Sequence, residues 1–234
     1  MKKVIDQINW DFVISEMNTK GYSIVPKLLT HGQCNELIGE YHNPHIYRKT
    51  VRMEQHRFGN GEYKYFNYPL PNLIQQIRKN TYPKLVPIAN EWFKVLRIEQ
   101  KFPIEHNDFL QQCHEKHQHK ATLLILKYGK NGYNTLHQDL YGDVYFPIQA
   151  VLFLSEPDQD YSGGEFILTQ QIPRAQSKAI VLKPRKGDML IFTTNFRPVK
   201  GTKGYYRVAM KHGVSEIRSG ERYTLGVIFH DALS

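Results

Sequence analysis

Only two cysteines, Cys34 and Cys113, occur in 234 residues. That is too few for a disulfide framework and excludes the small stapled secreted scaffolds. Apolar residues nowhere run on for the roughly 18 positions that a membrane-spanning helix needs. The opening Met1-Lys2-Lys3-Val4-Ile5-Asp6-Gln7 places acidic and amide groups where a signal core would lie. Pro/Gly/Ser-rich linkers and repeats of fixed period are missing too, so nothing divides the chain into independent units. Acidic residues are scarce: 22 Asp and Glu stand against 31 Lys and Arg, a net charge of +9 that favours a polyanionic partner. These absences predict a soluble cytoplasmic protein with no membrane partner, folded as one domain over residues 1–234.

The texture changes near residue 120, separating an N-terminal helical and basic-aromatic portion (1–119) from a strand-rich portion (120–234). Ile5, Ile8, Trp10, Phe12, Val13 and Met17 share a helical face that stops at Gly21, and a short strand follows over 22–25. Thr30-His31-Gly32-Gln33 is a capping box that predicts a helix over 31–41. Residues 71–80 and 84–98 read as two helices, Pro71 and Pro83 marking their starts. Between the capped helix and these two, 44–70 is crowded with Arg48, Arg52, Arg57, Tyr63, Lys64, Tyr65 and Tyr68, a β-rich or looped basic aromatic surface. After 120, strands are predicted over 122–128, 148–155, 165–168, 179–183, 188–192, 205–212 and 222–229, with Gly- and Pro-bearing turns between them. Many short strands without intervening helices predict a mainly β sandwich or jelly roll.

His137-Gln138-Asp139 carries the first chemical signal. On an extended segment, residues i and i+2 point to one side, so an imidazole and a carboxylate converge. A third ligand from another strand completes a facial triad with three open positions, as non-haem Fe(II) requires, and His212 is the candidate. Ten residues on, Arg222 and Thr224 share a strand face and suit the carboxylate of an anionic co-substrate. The competing reading of Arg222 is a surface ion pair with Glu221 or Glu216. Cys113-His114, His117 and His119 lack a second ligand pair at finger spacing and read as a solvated helix end. Arg207, at an odd separation from His212, is left out of the catalytic set, and His230-Asp231 is either a support of the site or a polar strand end.

In this order and spacing, His137-Gln138-Asp139, Lys211-His212-Gly213 and Glu221-Arg222-Tyr223-Thr224 resemble the 2-oxoglutarate/Fe(II)-dependent oxygenase superfamily. Ser162-Gly163-Gly164-Glu165-Phe166 and the Gly187-Asp188 strand resemble its minor motifs. The resemblance implies a double-stranded β-helix core with N-terminal helices packed on it. It implies iron on His137, Asp139 and His212, with the distal carboxylate of 2-oxoglutarate on Arg222, Thr224 and Tyr128. It also implies O2 consumption, substrate hydroxylation and release of succinate and CO2.

A closer resemblance, to a bacterial branch described as acting on damaged, alkylated nucleic acid, rests on three further segments. They are Phe58-Gly59-Asn60-Gly61-Glu62-Tyr63-Lys64-Tyr65-Phe66, Leu136–Gly142 and Ile228-Phe229-His230-Asp231-Ala232. It implies oxidative demethylation of a base in single-stranded nucleic acid and a role in DNA repair. Independently of it, the alternation of basic and aromatic residues over 47–68 marks Arg52, Lys64 and Tyr65, with Tyr141, as candidate substrate contacts; the competing reading has the aromatics packing the N-terminal layer on the barrel with the basic residues solvated at its rim. The tail departs from well-known alkylation-repair members, which carry Asn and a second Arg where Thr224 and Ile228 stand. It is similar instead to the prolyl-hydroxylase type, so a protein or amino-acid hydroxylase acting on a peptide or small molecule is the alternative, and a non-catalytic jelly-roll binding protein a third.

Overall fold

Apolar alternation in the second half of the chain becomes facing antiparallel sheets in the computed structural model, which describes residues 1–233. The helices are α1 (Lys2–Asp6), α2 (Trp10–Lys20), α3 (His31–Gly39), α4 (Asn72–Val95) and α5 (His106–Glu115). The early strands are β1 (Tyr22–Val25), β2 (Tyr47–Arg52), β3 (Gly59–Asn60) and β4 (Glu62–Phe66). The later ones are β5 (Leu124–Tyr128), β6 (Tyr133–His137), β7 (Ile148–Phe153), β8 (Tyr161–Gly163), β9 (Phe166–Gln171), β10 (Lys178–Leu182), β11 (Met189–Thr193), β12 (Phe196–Gly201), β13 (Gly204–Val214), β14 (Ile217–Gly220) and β15 (Arg222–Val227). The larger sheet runs β1-β11-β7-β15-β5-β4-β2; the smaller runs β10-β9-β13-β6-β3, with β12 also on β13. The fold is a jelly roll of the double-stranded β-helix type with helices packed on it. The change of texture at 120 does not separate the sheets, because β4 pairs with β5 and β3 with β6.

Period-2 alternation decides what each face of the larger sheet meets. Ile148, Ala150 and Leu152 of β7 join Tyr223, Leu225 and Val227 of β15 in the core shared with the helices. The intervening Val151 and Phe153 turn into the barrel with Phe166, Leu168, Leu190, Phe192 and Met210. Both faces being covered, all six residues of β7 are buried. The helix signals act locally: Gln33 N–H donates to Thr30 Oγ1 (3.2 Å) and Thr30 N–H to Gln33 Oε1 (3.0 Å), the reciprocal capping box. Gly21 closes α2 with φ +82°.

Pro83 does not start a helix. The two predicted helices are one, α4, with Pro83 and Pro87 inside it. An interior proline forfeits a hydrogen bond and crowds the preceding turn. Here the prolines, four residues apart, fall on the outward stripe, while Ile74, Ile77, Tyr82, Leu85, Ala89 and Trp92 line the buried one. The buried apolar face holds the rod together.

One buried ion pair ties α4 to the chain end. Arg78 Nη2 lies 2.9 Å from Asp231 Oδ1, both nearly inaccessible to solvent. The guanidinium also donates to the carbonyls of Ile228 (2.9 Å) and His230 (3.1 Å). Removing one partner strands the other charge in the core, which costs about 3–5 kcal/mol. Asp231→Ala is therefore expected to lower the melting temperature by about 10 °C or more, read by circular dichroism; a shift within about 2 °C would contradict this role. The helix end at 113–119 is only partly solvated, since Cys113 is buried and His114 Nε2 reaches Asp231 Oδ2 at 3.2 Å.

Candidate active site

The site lies where β6 and β13 run side by side, with His137 and His212 as direct register partners. Their rings sit 4.1 Å apart between centroids. Asp139, just past the end of β6, turns its carboxylate between them, Oδ1 3.6 Å from His137 Nε2 and Oδ2 3.2 Å from His212 Nε2. One ligand atom from each residue lies within 4.8 Å of the others. Gln138 points the opposite way, donating from Nε2 to the carbonyls of Asn195 (2.9 Å) and Met210 (2.8 Å), which pins the triplet across the neighbouring strand.

Whether these residues fit a metal can be tested on their hydrogen bonds. His137 Nδ1 is 2.7 Å from the Thr135 carbonyl. For this to be a hydrogen bond Nδ1 carries the proton, leaving the Nε2 lone pair turned toward the Asp139 carboxylate. A lone pair facing a carboxylate suits a cation between them, and two imidazoles with one carboxylate are a borderline set suited to Fe(II). Burial works to raise the Asp139 pKa, but His212, His137 and the Tyr141 hydroxyl together hold it well below the usual carboxylate range. Burial, then the proximity of His212, lowers that of His137. An ionised carboxylate beside a neutral imidazole is what metal binding needs. Phe166 stacks on the His212 ring (5.8 Å) and Phe192 meets its edge (4.9 Å), so that ring has little freedom to turn.

From this cluster a cavity of about 230 Å³ extends inward between apolar walls that include Leu124, Leu126, Val151 and Val214. Arg222 of β15 lies along it, opposite Tyr128 of β5 in register. It is not a surface residue: its exposure is 1%. Glu221, the acidic partner it would have at the surface, pairs instead with Lys127 at 2.7 Å. The guanidinium sits among the rings of Tyr128, Phe153 and Tyr161 and reaches Thr224 Oγ1 at 3.5 Å. Its Nε and Nη2 are buried without a hydrogen-bond acceptor. Burial, partly opposed by Arg222, pushes the Tyr128 hydroxyl up to about 12, keeping it a donor. Two guanidinium N–H groups lacking an acceptor, with two hydroxyls on the same sheet face, fit one carboxylate of a dianion.

Of the candidate substrate contacts, Tyr141 reaches the site: its hydroxyl donates to Asp139 Oδ1 at 2.7 Å. Tyr65 stands behind it, ring edge to face at 6.5 Å, buried against Val51, Leu124 and Ile228. Arg52 and Lys64 require correction. On β4, Tyr63 and Tyr65 share the cavity side, so Lys64 and the Arg52–Glu62 register pair fall on the other. Lys64 is occupied there, over the Tyr41 ring and donating to its carbonyl.

Other supports carried no sequence signal. Gln118, in a polar run, binds the segment after Asp139 through the Tyr141 and Val144 carbonyls and the Val144 N–H. Gly142 permits that approach, with φ +98° and room for no Cβ beside the Gln118 amide. His230 lies within 6.1 Å of the Tyr141 ring, its pKa brought down to about 3 by burial and by Arg78, while Asp231 faces Arg78 rather than the cavity. Tyr63 lines the cavity although only its basic-aromatic neighbourhood was legible.

The jelly roll and its inward-facing donors define a class: the protein is a 2-oxoglutarate/Fe(II)-dependent oxygenase, an enzyme that uses Fe(II), 2-oxoglutarate and O2. Within that class, a family model described as an oxygenase catalysing oxidative methylation of damaged DNA, Oxygenase-NA, matches residues 61–232, and the chain belongs to this family. The uncharacterized protein Rv2227 of Mycobacterium tuberculosis is 47% identical over 167 residues, 71% of this chain and 72% of that one. Among solved structures, a prolyl-4-hydroxylase from Pseudomonas putida gives a TM-score of 0.52 at 14% identity, covering 93% of this chain and 96% of its own. A prolyl hydroxylase from Trichoplax adhaerens, in complex with a hypoxia inducible factor peptide, gives 0.56 at 13% identity, covering 97% and 90%. At such identities the likeness is one of fold.

Proposed function

We propose that the protein oxidises an alkyl group on a damaged base of single-stranded nucleic acid, and the observation that carries this reading is the family match over residues 61–232. The cavity mouth adds physical support. Phe58, which lines the cavity and is 47% exposed, stacks with His56 (5.3 Å) and offers a flat face to an extruded base. Leu136 and Leu140, on either side of His137 and Asp139 in the chain, are nearly half exposed. The net charge of +9 favours a polyanionic partner for the protein as a whole.

In this reading His137, Asp139 and His212 hold Fe(II), and Arg222 with Thr224 and Tyr128 holds the far carboxylate of 2-oxoglutarate. The bound metal and co-substrate supply a two-electron oxidation by O2, with succinate and CO2 released. The protein's part is placement. Tyr141 donates to Asp139 and keeps its carboxylate ionised and oriented. The apolar walls exclude water, which strengthens the grip of Arg222 on its anion. A hydroxylase acting on a peptide or amino acid is the second reading, favoured by Ile228, an apolar side chain in the cavity wall six residues beyond Arg222.

Succinate formation by the Fe(II)-loaded protein tests the choice. A single-stranded oligonucleotide with one N-methylated base is expected to stimulate turnover several-fold over its unmethylated counterpart, with formaldehyde appearing in equal amount. Stimulation by proline-containing peptides and not by the oligonucleotide would move the assignment to the hydroxylase.

A further inference from the structure

A second depression adjoins the cavity, and Gln138 forms part of both walls. It has a volume of about 340 Å³ and is lined by Gln138, Gln171, Pro173, Phe196, Arg207 and Ala209, with Asn195. Because β13 alternates, Val208, Met210 and His212 face inward while Arg207, Ala209 and Lys211 face outward. Arg207 therefore cannot enter the metal site. It lies over the Phe196 ring at 5.1 Å, which steadies the guanidinium plane. Among the described residues no carboxylate lies within ion-pair distance of it, whereas Arg78 has Asp231 and Arg52 has Glu62. The groove thus holds an exposed arginine, steadied but without an anion, one side chain away from the residues that bracket the oxidised group.

We propose that this groove is a phosphate subsite: Arg207 binds the phosphodiester next to the nucleotide whose base enters the cavity. The inference rests on the nucleic-acid reading above and extends it to a residue outside the metal and co-substrate set. The juxtaposition carries it, since Gln138 lies between His137 and Asp139 in the chain and is the wall between cavity and groove. In the proposed pose, a strand with its reactive base beside His137 and Asp139 continues over Gln138 into the groove. A planar guanidinium held on an aromatic floor suits a phosphate oxygen pair. Arg207 acts as a substrate-positioning group that takes no part in the oxidation.

The test is steady-state formaldehyde release from a short single-stranded oligonucleotide bearing one N-methylated base. It is run with phosphodiester or uncharged methylphosphonate linkages on either side of that nucleotide, on wild type, Arg207→Ala and Arg207→Lys. For wild type, one of the two neutral linkages is expected to raise KM about tenfold, the loss of a hydrogen bond between charged groups, with little change in kcat. Arg207→Ala is expected to raise KM for the all-phosphodiester strand by a similar factor and to lose sensitivity to that linkage. Arg207→Lys keeps the charge without the fork and recovers part of the affinity. In a binding titration, Arg207→Ala is expected to lower the salt slope by about 0.7, one phosphate contact to a single strand. An equal methylphosphonate effect in wild type and Arg207→Ala overturns the subsite while leaving the nucleic-acid oxygenase intact. Absence of any turnover of the methylated strand by wild type overturns both.

Discussion

Asp139→Ala is expected to abolish succinate formation, with or without a nucleic-acid substrate. The Asp139 carboxylate lies between His137 and His212 and supplies the only negative charge of the cluster. Loss of an outer partner of a metal ligand costs about 10–100-fold, and loss of a ligand itself exceeds that range. The variant is expected to remain folded, because the carboxylate belongs to none of the apolar clusters. Circular dichroism checks the fold, and a Mn(II) titration by electron paramagnetic resonance checks the site without relying on turnover. Asp139→Glu keeps the charge but extends it by one methylene, so weak metal binding with little turnover is expected. Undiminished succinate formation by Asp139→Ala would remove the iron site from this cluster.

Arg222→Ala is expected to act on the co-substrate alone. Truncating one side of a buried, hydrogen-bonded charge pair costs about 2–5 kcal/mol, so KM for 2-oxoglutarate should rise by roughly 300-fold at the middle of that range. Binding of Mn(II) is expected to stay as in wild type, since Arg222 is not among the metal-facing groups. Stability should move the other way. Without co-substrate, Arg222 is a buried cation with two N–H groups that lack acceptors, and its ring contacts and the long bond to Thr224 offset only part of the desolvation. Arg222→Leu is therefore expected to melt at or above the wild-type temperature when 2-oxoglutarate is absent, and 2-oxoglutarate should raise the melting point of wild type only. A variant that melts well below wild type without co-substrate and keeps the wild-type KM would show that Arg222 is a structural residue.

Both experiments bear on features that were legible in the chain because they are encoded locally. His137 and Asp139 converge because a strand places i and i+2 on one side, and Arg222 and Thr224 share a face for the same reason. Thr30 and Gln33 cap α3 within a single turn. Alternation states which residues travel together; it does not state toward what they turn. Arg52 and Lys64 belong to the same aromatic segment as Tyr63 and Tyr65, yet only the pairing of β4 with β5 puts the tyrosines on the cavity side and the cations behind.

Strand periodicity and the spacing of a few side chains thus reached as far as a sandwich or jelly roll and the nomination of His137, Asp139, His212 and Arg222, and the resemblance to the oxygenase superfamily narrowed the fold and assigned the roles. Contacts between residues far apart in sequence decided the rest. Pro83 is carried inside α4 because the packing of one long apolar face outweighs a lost hydrogen bond. Arg78 finds Asp231 across 153 positions, Gln118 reaches the loop beyond Asp139, and Arg207 comes to rest beside Gln138. None of these pairs has a characteristic spacing, since each follows from how sheets and helices stack, and stacking is set by the whole buried surface at once rather than by any window of sequence.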